Sequence, residues 1–147
     1  MSDVYLHQVE VNEADIDRLG HVNNLVYLRW MIDAALAHSA ALGWPTDAYQ
    51  KLGAGWVVRS HKIRYLQPAF AGQRIVVQTW VATMKRLRSL RCYKIIRLPD
   101  ETVLASASTE WAFVDYTNGT PKKVPDEVVA AFRVVDEPND NGLAMAE

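Results

Sequence analysis

Apolar residues recur at two different periods along the chain, and the change from one to the other divides it. From residue 24 to 42 there is no proline or glycine, and Leu25, Leu28, Ile32, Leu36 and Ala40 fall at helical spacing. Tyr27, Trp30, Met31, Ala34 and Ala35 widen that apolar face, interrupted only by His38, Ser39 and the i,i+4 pair Arg29 and Asp33. A helix this apolar is expected in the middle of a core. Gly43 and Pro45 stop it, after a length of roughly 30 Å. Its polar positions argue against a membrane span.

Beyond residue 55 the pattern shortens to the period of strands. Residues 56–66, 73–84, 87–98 and 102–116 are rich in β-branched and aromatic side chains, with turns at Gln67-Pro68, Pro99-Asp100 and Asn118-Gly119. Residues 4–11 have the same character. Residues 45–55 read as a loop with at most one short helical turn, and 125–133 as a short helix opened by Pro125. One strand, a long helix and four further strands predict an α+β domain, an antiparallel five-stranded sheet with the helix laid across one face. One helix cannot cover such a sheet, so a homodimer or homotetramer is expected. The domain is placed at residues 1–136, and 137–147, with Pro138-Asn139-Asp140-Asn141-Gly142, is expected to be a disordered tail.

Composition narrows the function. Sixteen basic and seventeen acidic residues nearly cancel, which argues against a nucleic-acid or anionic-membrane partner. The lone cysteine, Cys92, excludes an internal disulfide and a cysteine-rich metal site. The first five residues are neither basic nor apolar, so no secretory signal is visible and the cytoplasm is the expected compartment.

Candidate chemistry gathers just before the long helix. Asp15, Asp17, Gly20, His21, Asn23 and Asn24 lie within ten residues. Asn23 is suited to cap the helix, whose unpaired N–H groups and positive dipole end then face the turn carrying Asp17. An oxyanion would be stabilised there. Asp17 and His21 have a metal-ligand spacing only if the segment is helical, and Gly20 argues against that, so no metal is expected. A basic run, Lys85, Arg86, Arg88, Arg91, Lys94 and Arg97, offers guanidinium groups suited to phosphate. In a regular strand Arg86, Arg88 and Lys94 share one face and Lys85, Arg91 and Arg97 the other. Arg59 and Lys62 are further candidates of this kind, and charges guarding a sheet edge are the competing reading.

The run Asp17-Arg-Leu-Gly20-His21-Val-Asn23-Asn24, continued by Tyr27 and Trp30, resembles the 4-hydroxybenzoyl-CoA thioesterase family of hotdog-fold enzymes. Plant acyl-ACP thioesterases share a similar Asp-x-Asp-x-x-x-His-Val-Asn-Asn pattern, though they carry an asparagine where this chain has Leu19. Residues 63–72 and 119–125 extend the likeness along most of the chain. A related group that uses a glutamate on the central helix is not matched, since residues 24–42 contain none. The resemblance implies a five-stranded sheet wrapped around a central helix, hydrolysis of acyl-CoA or acyl-ACP thioesters, and no cofactor. It implies that Asp17 attacks the thioester carbonyl or activates water, that the Asn24 N–H receives the thioester oxygen, and that a second subunit completes the site. His21 could orient Asp17 or a water. Asn23, Tyr27, Arg59, Lys62, Arg86 and Arg88 are the substrate-binding candidates, with Tyr27 also readable as core and Asn23 as a cap. Asp15 is read as dispensable for the chemistry. A hotdog dehydratase and a non-catalytic acyl-CoA binding module are the alternatives.

Overall fold

A computed structural model describes residues 3–136. Five strands form one antiparallel sheet: β1 (Val4–Glu10), β2 (Ala54–Tyr65), β3 (Arg74–Met84), β4 (Arg88–Leu98) and β5 (Thr102–Asp115), in the order β1-β3-β4-β5-β2. The helix α1 (Asn24–Ala41) follows β1, with a 3-10 turn at Glu13–Asp15 before it; α2 (Thr46–Leu52) leads into β2, and α3 (Asp126–Ala131) follows β5. Sequence and structure agree on every strand to within two residues. The expected loop after α1 is instead mostly α2, ended by Gly53 in the left-handed conformation. The tail at 137–147 lies outside the described residues.

The helix buries a different stripe from the leucine row. Tyr27, Trp30, Met31, Ala34 and Ala35 face the sheet, packing with Ile75, Val77, Tyr93, Ile95 and Leu104, and His38 is buried further along the helix against Tyr5, Phe132 and Arg91. In that leucine row Leu25 is 70 % exposed and Leu36 48 %, while Leu28 is half-buried against the core, so the row lies along the margin of the buried face. Two apolar rows compete for one core. The aromatic row fills the long hollow of a twisted sheet, while the small Ala34 and Ala35 let the helix approach it closely. A second cluster, Tyr49, Val81, Phe113, Val124, Val128 and Phe132, closes the far end, and Val76, Ile96 and Leu98 pack on the opposite face.

Register fixes where the ends lie. Glu10 pairs with Arg74 and Val4 with Trp80, so the turn after β1 sits at the Arg74 end of β3 and the hairpin from β3 to β4 at the other. Strand β2 is an outer strand, broken by a bulge between Val58 and Ser60 that leaves Arg59 without a partner residue on β5.

A candidate thioester site at the start of α1

Residues 16–22 form a tight reversal. Ile16 bridges Val22, the Asp17 N–H donates to the His21 carbonyl at 2.9 Å, and Gly20, at φ 86°, takes the left-handed conformation that turns the chain. Asp17 Oδ1 accepts the Leu19 N–H at 2.8 Å, an Asx turn that orients the carboxylate. Its Oδ2 faces His21 Nδ1 at 3.8 Å, too long for a hydrogen bond. With its side chain 27 % exposed, Asp17 keeps a carboxylate oxygen available to a ligand.

The helix start is built as expected. Asn23 Oδ1 accepts the Leu25 N–H at 2.9 Å, making it the cap. Asn24, exposed, is the first helical residue, and its N–H has no acceptor within the helix. The Asn24 carbonyl accepts the Tyr65 hydroxyl at 3.1 Å, and the Val22 N–H donates to the Ala69 carbonyl at 2.9 Å. These two bonds fasten the turn to the end of β2 and the loop after it. Phe70 lies edge-on to His21. Neither Tyr65 nor Phe70 figures among the sequence candidates, because each reaches the site from more than forty residues away.

Asp15 is not a spare carboxylate. It is 3 % exposed, and its Oδ1 accepts Arg29 Nη2 at 2.8 Å. Arg29 therefore pairs back across the turn, where helical spacing suggested Asp33. Burial pushes the Asp15 carboxyl up, but the hydrogen bonds from Arg29 and the Asn12 N–H, with the Arg29 charge, outweigh it and hold the group below its ordinary value.

The other candidates scatter. Tyr27 is 2 % exposed, stacked edge-on with Trp30 and Tyr65, and belongs to the core of its own chain. Burial raises its hydroxyl pKa. Arg59 is exposed on the β2 bulge and Lys62 is exposed further along the same strand. Arg86 precedes β4 and Arg88 opens it, so both lie at the opposite end of β3 from Asp17, a strand of eleven residues or about 36 Å. One chain cannot bring them to Asp17. Within β4 the basic run divides between the two faces as alternation predicts, with Arg91 buried under α1 and Arg88 and Lys94 on the other face, while Arg97 is engaged by Asp100 at 2.7 Å, so the run forms no single patch. Among the described residues no three His, Cys, Asp or Glu side chains converge to hold a metal, and no helix is long and apolar enough to cross a membrane.

A five-stranded antiparallel sheet curled along one long helix, with a polar turn at the helix start, defines the hotdog class of thioesterases. The chain belongs to the thioesterase-like superfamily, whose sequence profile matches residues 11–132, and is thereby a thioester hydrolase. It is 24 % identical over 128 residues to the chloroplastic acyl-acyl carrier protein thioesterase ATL2 of Arabidopsis thaliana, covering 86 % of this chain and 68 % of that protein. The DHNA-CoA thioesterase of Staphylococcus aureus superimposes with a TM-score of 0.77 at 24 % identity, over 82 % of this chain and 80 % of the other. A 1,4-dihydroxy-2-naphthoyl-CoA thioesterase from Synechocystis gives 0.82 at 19 % identity, over 92 % and 99 %.

Proposed function

We propose that the chain hydrolyses an acyl-CoA thioester to free acid and CoA in the cytoplasm, with the turn at residues 16–24 as the reacting site. The observation that carries this is the Asp17 carboxylate, held at one oxygen by the Leu19 N–H and open at the other, on a turn that leads directly into the N-terminus of α1. The thioester oxygen, gaining charge as the carbonyl is attacked, is received by the Asn24 N–H and the helix dipole. Asp17 either adds to the carbonyl carbon, expelling CoA thiolate and leaving an anhydride for water to cleave, or takes a proton from the water that attacks. His21, beside it, positions Asp17 or that water.

A second copy of the chain completes the site in this reading. The exposed Leu25 at the start of α1 and the outer strand β2, with Val58 and Tyr65 exposed, are surfaces that a homodimer or homotetramer would cover. Arg59, Lys62, Arg86 and Arg88 then serve the nucleotide end of CoA from the neighbouring subunit. A panel of acyl-CoA esters assayed with a thiol-detecting dye tests the reaction. Thiol release supports it, hydration without thiol release favours a dehydratase, and binding without turnover favours an acyl-CoA binding module.

A further inference from the structure

Beneath the C-terminal half of α1 lies a cavity of about 180 Å³, walled largely by apolar groups that include Trp56, Met84, Trp111 and Phe132, with Arg91 in its lining. Ser39, also in the wall, stands fifteen residues beyond Asn24, about 22 Å along the helix axis, so the cavity is remote from the Asp17 turn of the same chain. Arg91 is only 5 % exposed. Its Nη1 donates to His38 Nδ1 at 2.9 Å and to Thr79 Oγ1 at 3.1 Å.

Among the described residues that arrangement gives the charge no counterion. Among the described residues no carboxylate lies within ion-pair distance of Arg91, and neither its Nε nor its Nη2 makes a hydrogen bond. His38 does not offset the charge, because an arginine only donates and Nδ1 must therefore be the unprotonated nitrogen. The serine hydroxyls of the wall are engaged elsewhere: Ser39 Oγ donates to the Trp44 carbonyl at 2.6 Å, and Ser89 Oγ to the Thr83 carbonyl at 2.7 Å. Removing a guanidinium from water is costly unless an anion meets it. Its unused donors form the planar fork that fits a carboxylate with two parallel hydrogen bonds.

We propose that this cavity is a binding site for a small carboxylic acid with an apolar body, the carboxylate on Arg91 and the body against Trp56, Trp111 and Met84. An apolar cavity of about 150 Å³ accepts benzene, so the space suits an aromatic ring bearing one carboxylate, or a short alkanoate. The site stands on its own geometry and does not depend on the thioester reading.

Calorimetric titration of the whole protein with benzoate, hexanoate and the neutral isostere benzamide tests it. At least one acid should bind saturably at one site per chain, and benzamide at least about tenfold more weakly than benzoate, the usual loss when a charge-assisted hydrogen bond is removed. Leu36, in the cavity wall and half exposed, marks an opening to solvent. Leu36→Trp should block that opening and weaken acid binding at least about tenfold, and Arg91→Met should abolish the preference for the acid. Should Arg91→Met fail to fold, the benzamide and Leu36→Trp comparisons still decide. Benzamide binding as tightly as benzoate, unchanged affinity in Leu36→Trp, or no saturable binding of either acid overturns the proposal. Because a free acid is the probe, the outcome is separate from whether thioesters are cleaved.

Discussion

Arg29 Nη2 donates to Asp15 Oδ1 at 2.8 Å, joining the second turn of α1 to the 3-10 turn that precedes Asp17. The other Asp15 oxygen accepts the Asn12 N–H at 3.0 Å, and its backbone carbonyl accepts the Asn23 N–H at 2.9 Å. One buried residue thus braces both sides of the turn. The Asp17 carboxylate owes its place to a neighbour two positions earlier.

Asp15→Asn should therefore destabilise the protein by about 1–3 kcal/mol in urea denaturation, since a charge-assisted hydrogen bond is lost while the half-exposed Arg29 can return to water. The folded pKa of Asp15 lies below its unfolded value, so its contribution is present above that unfolded value and fades as pH falls through the folded one. Wild type and variant should converge in stability at strongly acid pH.

Asp17→Asn keeps an oxygen for the Leu19 N–H and removes the charge that either mechanism needs. We expect kcat to fall at least about a hundredfold, with the urea midpoint nearly unchanged. The contrast with Asp15→Asn, which loses stability first, separates chemistry from scaffolding. Full activity in Asp17→Asn would end the case for this residue.

His38 is held neutral. Burial, and then the Arg91 charge, lowers its pKa from 6.5 to about 3. In the unfolded chain it protonates as pH drops below 6.5 and in the folded chain it does not, so its effect is absent at neutral pH and stability declines from about pH 6.5 down to 3. His38→Gln, which retains an acceptor for Arg91, should flatten the stability profile in that window by up to one proton's slope. Denaturation at a series of pH values measures it.

Sedimentation should show a dimer or tetramer. If a neighbouring subunit supplies the nucleotide contacts, Arg86→Ala with Arg88→Ala should raise KM for CoA esters more than it lowers kcat. Pantetheine analogues without the nucleotide should be spared. Equal loss on both substrates would remove these arginines from the phosphate role.

Much of this was legible in the residues. Turn chemistry and alternation placed the strands, and Asn23, Gly20 and Asp17 declared themselves through local rules of capping and reversal that need no distant partner. What escaped depends on partners remote in sequence. Nothing in the spacing distinguishes Leu25, Leu28, Ile32 and Leu36 from the aromatic row as the buried stripe, because both are helical and apolar and the sheet's hollow decides. Asp15 looks like any loop carboxylate until Arg29 is seen fourteen residues away. Arg91 hides in a basic run, and only the register of β4 turns it inward beneath the helix.

The hydrogen bonds that shape the Asp17 turn begin and end within residues 12–29, apart from those to Tyr65 and Ala69. Mutational drift in the middles of β3, β4 and β5 therefore leaves that turn's geometry alone. A lineage could exchange the side chains along the sheet, generation after generation, while inheriting the same corner intact.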